Sequence, residues 1–145
     1  MEVREVLQKK GNEIYHISPD ATVFEAIKIM ADYRVGALLV MDGKELQGII
    51  SERDYRNKVI LQGKTSKETP VHEIMTRDIK TVAPNTSVEE CMNVMTDYRI
   101  RHLPVKEQDQ VVGVISIGDT VKTIIDKQKE EIRDLRGYIS GDYPG

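Results

Sequence analysis

Two short stretches of this chain gather residue types that can do chemistry, and they are nearly the same stretch. Ser51-Glu52-Arg53-Asp54 and Ser116-Ile117-Gly118-Asp119 each follow a glycine and an apolar pair. In each, a strand ending on serine hands over to a helix whose first turn carries an aspartate. One reading is a cap, because Ser-x-x-Asp is a variant of the capping box that closes a helix N-terminus. The other is recognition: free N–H groups and the positive end of the helix dipole favour an anion there. A carboxylate at that point can accept both hydroxyls of a ribose, and Arg53, or Arg99 and Arg101 from the neighbouring strand start, would meet a phosphate. On the residues alone both readings stay open.

Other chemistries find no footing. The chain has no Gly-x-Ser-x-Gly, no Gly-x-x-x-x-Gly-Lys-Ser/Thr, no paired cysteines and no His-Glu-x-x-His, the patterns that nucleophilic, phosphate-loop or zinc chemistry needs. His16, His72 and His102 fall on separate elements, so no metal site is expected, and no catalytic residue. Cys91 is the only cysteine, and its place on a helical apolar stripe reads as a small buried thiol. The 21 basic and 24 acidic residues are interspersed, with a formal charge of −3, and no basic block exists to neutralise a run of phosphates, so nucleic acid is not an expected partner. No apolar run approaches the roughly 18 residues of a membrane span, and the first residues lack a signal peptide's apolar core. The chain reads as soluble and cytoplasmic, with no membrane partner.

The elements that position the two motifs are themselves duplicated. Gly48 and Gly113 lie 65 positions apart, and the same offset aligns Pro19 with Pro84, Val23 with Val88, Met30 with Met95 and Asp32-Tyr33-Arg34 with Asp97-Tyr98-Arg99. No gap is needed from Tyr15 to Tyr55, and about a third of the aligned pairs are identical, which is too long a register for chance. A repeat of about 60 residues buries only roughly 60% of its unfolded surface, so the two copies are expected to fold against each other. Thr22-x-x-Glu25 and Ser87-x-x-Glu90 cap helices with the apolar stripes Val23, Ala26, Ile27, Met30 and Val88, Cys91, Met92, Met95. Residues 36–41 and 46–51, joined at Asp42-Gly43, predict an antiparallel strand pair, as do 101–105 and 111–116. The extended segments 15–18 and 80–83, held open by Pro19 and Ala83-Pro84, lie one helix earlier and predict parallel partners.

Val3-Arg4-Glu5-Val6-Leu7 resembles Val71-His72-Glu73-Ile74-Met75 at a spacing of 68, so each repeat is expected to begin with a short helix. The helix from Glu52 is predicted to end near Gly63, with residues 64–70 as a polar connector. Val121, Ile124, Ile125, Gln128, Ile132 and Leu135 predict a last helix running to about Arg136, with a seam reaching beyond what its own repeat covers. This divides the chain into a first repeat at 1–66, a second at 67–136 and a poorly ordered tail at 137–145.

The fixed-offset duplication, the two glycine, apolar-pair and Ser-x-x-Asp endings, and Arg101-His102-Leu103-Pro104-Val105 together resemble a tandem pair of cystathionine-β-synthase (CBS) domains, as in small stand-alone bacterial CBS-pair proteins. The resemblance implies an α/β (α+β) fold of two β-α-β-β-α repeats related by a pseudo-twofold axis, with adenine nucleotides in the cleft between them. It implies an aspartate on the ribose, the first strand's threonine and apolar residue beside the base, and basic residues near the middle strand on phosphate. Carried over by position, the second repeat keeps Thr81, Val82, Arg101, His102, Leu103 and Pro104, with Arg99 close by, then Ser116 and Asp119, and is expected to be the better site. The first keeps Ile17, Ser51 and Asp54, but has His16, Gly36 and Ala37 where the second has Thr81, Arg101 and His102, and Leu39 for the proline; Arg53 could replace the missing cation. The implied ligand is AMP or NAD(H), with no metal required. The implied role is a non-catalytic, energy-sensing regulatory module, acting as a homodimer on an unidentified partner protein. The alternative is a ligand-independent dimerisation or interaction module with degenerate sites.

Overall fold

Each repeat starts its first long helix on a hydroxyl cap. The Thr22 hydroxyl accepts from the Glu25 N–H at 3.2 Å while the Glu25 carboxylate accepts from the Thr22 N–H at 3.2 Å, and Ser87 accepts from the Glu90 N–H at 3.0 Å. From these caps run α2 (Val23–Tyr33) and α5 (Val88–Asp97), which bury Val23, Ala26 and Met30, and Val88, Cys91 and Met95. In both repeats the chain reverses on a left-handed arginine, Arg34 at φ 56° and Arg99 at φ 55°. The Val35 and Ile100 N–H groups reach back to the carbonyls of Met30 and Met95 at 3.0 Å, as at a Schellman-type helix end. The repeated Asp-Tyr-Arg is thus a chain-reversal device.

The computed structural model describes residues 1–140. Strands β2 (Ala37–Asp42) and β3 (Glu45–Ser51) pair antiparallel, as do β4 (His102–Glu107) and β5 (Gln110–Ser116), in the same register and with the same irregularity after Val40 and Val105. Strand β1 (His16–Ile17) adds in parallel to β2. Its counterpart in the second repeat shrinks to one bridge, Val82 with Val105. The cause is legible in one residue: the Leu39 N–H donates to the Tyr15 carbonyl at 3.1 Å, and Pro104, which aligns with Leu39, has no N–H to give.

The short opening helices are exchanged. Helix α1 (Val3–Lys10) puts Val3, Val6 and Leu7 into the core of the second repeat, among Val88, Cys91, Leu103 and Ile115. Helix α4 (Val71–Ile74) puts Val71 and Ile74, with Met75, into the core of the first, among Val23, Met30, Val40 and Ile50. Matched backbone bonds hold each in place: Val3 N–H to Thr86 and Arg4 N–H to Pro84 on one side, Val71 N–H to Ala21 and His72 N–H to Pro19 on the other, at 2.8–3.0 Å. Gly48 and Gly113 receive them. A Cβ on Gly48 would lie 2.8 Å from the Thr76 carbonyl and 2.9 Å from the Met75 sulfur, and one on Gly113 would lie 2.7 Å from Leu7 Cδ2.

Helix α3 (Glu52–Lys58) ends before the expected stop near Gly63, giving way to a 3-10 turn at Ile60–Gln62 that Gly63 ends at φ 69°. Helix α6 (Ile117–Ser140) is longer than expected. It takes in residues 137–140 of the expected tail, because one helical glycine costs only about 1 kcal/mol against alanine and the apolar seam continues through Ile139. The rest of the expected tail, 141–145, lies outside the described residues. Among the described residues no helix is long and apolar enough to cross a membrane.

Candidate functional site

The two Ser-x-x-Asp turns are built alike. The Ser51 N–H donates to Asp54 Oδ2 at 3.0 Å and the Ser51 hydroxyl accepts from the Asp54 N–H at 3.3 Å; Ser116 and Asp119 repeat both bonds at 3.0 Å. Both motifs are therefore capping boxes. Each carboxylate nevertheless faces a cleft between the repeats.

The clefts do not divide one per repeat, as position-by-position transfer had it. The larger, about 540 Å³, joins Ser51, Arg53 and Asp54 of the first repeat to Lys80, Arg101 and His102 of the second, with Gly36, Thr76 and Arg56 and the apolar Ile49, Ile79 and Ile100. The smaller, about 200 Å³, joins Ser116 and Asp119 to Tyr15, Arg34, Gly36 and Ala37 of the first repeat, with Lys10 and again His102. Arg101 and Asp119, assigned above to one site, line different clefts. The reason is the pairing of the strands: Ser51 sits beside Ala37 and Ser116 beside His102 in their own ladders, while the helix-start side chain turns toward the other repeat. His102 and Gly36 stand between the clefts and line both, with 3.5 Å from the His102 ring to where a Gly36 Cβ would be.

Matched positions show how the walls differ. In the larger cleft Lys80 pairs with Asp78 at 3.4 Å and lies over the Tyr98 ring at 4.4 Å. At the equivalent places Tyr15 donates to Glu13 at 2.5 Å and stacks on Tyr33 at 4.6 Å. Arg53 donates to the Arg99 carbonyl at 2.8 Å, stitching α3 to the start of β4; the equivalent position is Gly118, with no side chain. The larger cleft thus carries Arg53, Arg56, Lys80 and Arg101 on its walls, with the acids Glu52, Asp54 and Asp78. The smaller carries Lys10 and Arg34, with Glu13 and Asp119.

The carboxylates are held differently too. Asp54 is 7% exposed and takes the Ser51 N–H and hydroxyl, the Thr76 hydroxyl at 3.3 Å and Lys58 at 2.9 Å. Asp119 pairs with Lys10 at 2.9 Å, and the same ammonium also donates to the Val114 carbonyl. Burial works to raise the Asp119 pKa, but the Lys10 and Ser116 hydrogen bonds and the Lys10 charge outweigh it and hold the carboxyl below its ordinary value. For His102, burial and the charges of Lys10 and Arg101 push the pKa down, against the opposing pull of Asp119. The ring is therefore neutral at pH 7. Burial pushes the Cys91 thiol up to about 11, far from a thiolate nucleophile at neutral pH.

Of the residues expected from sequence, Gly36, Ala37, Ser51, Arg53, Asp54, Arg101, His102, Ser116 and Asp119 line one or both clefts. Ile17, Val82 and Leu103 sit in the cores and Pro104 is buried, while His16, Thr81 and Arg99 are exposed and line neither cleft. Sequence reasoning passed over Lys80, Thr76 and Lys10. Lys80 stands next to Thr81 in an extended segment, where neighbours point to opposite faces, so choosing the threonine excluded the lysine. Thr76 and Lys10 follow from the exchange of α1 and α4, of which the spacing of 68 against 65 was the only trace.

Comparison with known proteins agrees with this architecture. The model of the CBS domain matches residues 3–60 and again 71–126. CBSX3, a mitochondrial CBS domain-containing protein of Arabidopsis thaliana, is 42% identical over 150 residues, covering 97% of this chain and 73% of the relative. A protein with CBS domains from Burkholderia ambifaria superposes with a TM-score of 0.85 at 46% identity, over 88% of this chain and 96% of that one. A CBS domain protein from Pyrobaculum aerophilum complexed with AMP does so with a TM-score of 0.73 at 26% identity, over 82% and 89%.

Proposed function

The chain belongs to the CBS-domain family as a tandem pair, and from that premise we propose that it is a non-catalytic regulatory module binding an adenine nucleotide, AMP or NAD(H), in the larger cleft. The observation that carries this reading is the convergence of four basic side chains, in excess over the acids Glu52, Asp54 and Asp78, around one cleft of about 540 Å³ that a helix-start carboxylate faces. Clefts that hold small ligands run from about 300 to 1,000 Å³, so the larger cleft is of the right size and the smaller, at about 200 Å³, is not. Asp54 takes the ribose hydroxyls, displacing the weak 3.3 Å bond from Thr76. Arg101 and Lys80 meet phosphate, and Ile49, Ile79 and Ile100 flank the base. The AMP complex of the Pyrobaculum relative supports the ligand class. The module works as a homodimer, its exposed Phe24, Ile60, Leu61 and Ile125 supplying apolar surface, and passes ligand state to a partner protein.

Calorimetric titration of the purified protein with AMP and with NADH tests this, backed by mass spectrometry of small molecules released on denaturation. Saturable binding is expected. Arg101→Ala, a change at an exposed side chain, should weaken it about 10- to 150-fold, the equivalent of a lost charge-assisted hydrogen bond of roughly 1.5 to 3 kcal/mol, and lessen its salt dependence. Absence of binding by wild type would overturn the nucleotide reading in favour of a ligand-independent module.

A further inference from the structure

Helix α6 outruns the repeat it belongs to. The family match ends at residue 126, and the ion pairs that tie α6 to α1, Lys9 with Asp126 and Lys127 with Glu5, end at residue 127. The helix continues to Ser140. Its inner side buries Thr120 and Thr123 and packs Ile124 against the second core. On the other side Val121, Ile125, Gln128, Ile132, Leu135 and Ile139 recur at alternating steps of four and three. The exposure along this seam rises from 44% at Ile125 to 52% at Ile132, 64% at Leu135 and 78% at Ile139. An isolated helical stretch this short is marginal in water, and tertiary packing of the apolar face supplies most of a helix's stability, so the seam calls for a cover.

Its chemistry specifies which cover. In heptad terms isoleucine fills every a position, at 125, 132 and 139, while Val121, Gln128 and Leu135 fill d. Branched residues at a with leucine at d favour two parallel strands. The flanking e positions are all basic, Lys122, Lys129 and Arg136, and Glu131 is at g. An antiparallel pairing would set the basic e rows against each other. A parallel, in-register pairing instead brings Glu131 of each chain to Arg136 of the partner subunit, in the g-to-e relation that sets coiled-coil orientation.

We infer that residues 121–139 form a parallel, in-register, two-stranded coiled coil with the same segment of a second copy of this chain. The inference rests on the homodimer reading above and fixes its orientation: the seam is about 27 Å long, and both modules emerge from the same end of it.

Cysteine cross-linking tests the register. In a parallel, in-register pair every a residue meets its own counterpart, so Ile125→Cys and Ile139→Cys, made separately, should each form an intersubunit disulfide under mild oxidation. Wild type, whose Cys91 is buried, should not. An antiparallel pair lets at most one position meet itself, so cross-linking of only one variant would overturn the inference. If neither cross-links while sedimentation still gives a dimer, the dimer is held elsewhere and the coiled coil is wrong; a wild-type monomer at micromolar concentration defeats both readings. Glu131→Arg should raise the dimer dissociation constant about threefold to tenfold, and adding Arg136→Glu should restore it. Failure of the double change to recover would also count against the parallel register.

Discussion

The two clefts arise from the same turn, the same cap and the same strand register, yet one is large, with four basic side chains against three acidic ones, and the other is small, with two of each. The difference comes from what the exchanged helices deliver. Asp54 has its cation from its own helix, Lys58 at 2.9 Å, and the segment after α4 adds Thr76, a neutral hydroxyl at 3.3 Å, which a ribose hydroxyl can replace. Beside Asp119 the cation comes instead from the exchanged helix, the end of α1 bringing Lys10 at 2.9 Å into the cleft wall itself. The strand starts diverge too: His102 and Gly36 line both clefts, but Arg101 lines only the larger and Ala37 only the smaller. A duplication thus keeps its fold by repeating the core and separates its two sites by changing a few wall residues.

The largest expected effect lies in how the helices are seated. Gly48→Ala sets a Cβ against the Thr76 backbone carbonyl at 2.8 Å, which cannot move without shifting the chain that carries Thr76 to Asp54. Such overpacking costs about 2 to 3 kcal/mol, or a melting midpoint lower by roughly 4 to 12 °C for a chain of this size. Gly113→Ala meets the tip of the Leu7 side chain instead, which can change rotamer, and should cost about 1 kcal/mol. Thermal denaturation of both variants checks the contrast; equal losses would mean that the two seats are equivalent.

A smaller effect follows from Lys10. Because the folded state lowers the Asp119 pKa below its ordinary 3.8, the stability it contributes is complete above that value and is lost as pH falls through the folded pKa. The lowered His102 pKa acts in the same direction from a higher starting point: stability is complete above about 6.5, the unfolded value, and declines as pH falls toward the folded pKa. Lys10→Ala removes a charge that depresses both, so both pKa values should rise and the acid-side loss of stability between pH 6.5 and pH 3 should flatten. Proton NMR titration of the His102 ring reads this directly. An unmoved His102 pKa would mean that Lys10 does not govern the small cleft.

Much of this was legible in the sequence. Caps at Thr22 and Ser87, stripes at Val23, Ala26 and Met30, and the antiparallel pairing of β2 with β3 follow from spacing alone, because hydrogen-bond partners three residues apart, side chains of fixed period and a tight turn are local matters. The weakened parallel strand beside β4 was implicit in Pro104. That Arg101 and Asp54 would line one cleft was not legible, because linear order does not state which repeat a helix start will face once two copies pack. Nor were Thr76 and Lys10, whose role depends on helices inserted into the opposite core.

Titration of AMP into Asp54→Asn and Asp119→Asn in parallel separates the two clefts most directly. Asparagine caps a helix about as well as aspartate, so both empty variants should stay folded, with stability within about 1 kcal/mol of wild type. Placement of the nucleotide in the larger cleft predicts that Asp54→Asn weakens AMP binding about 10- to 150-fold, while Asp119→Asn leaves it within about threefold. Loss of binding in Asp119→Asn with full affinity in Asp54→Asn would contradict that placement and return the nucleotide to the smaller cleft.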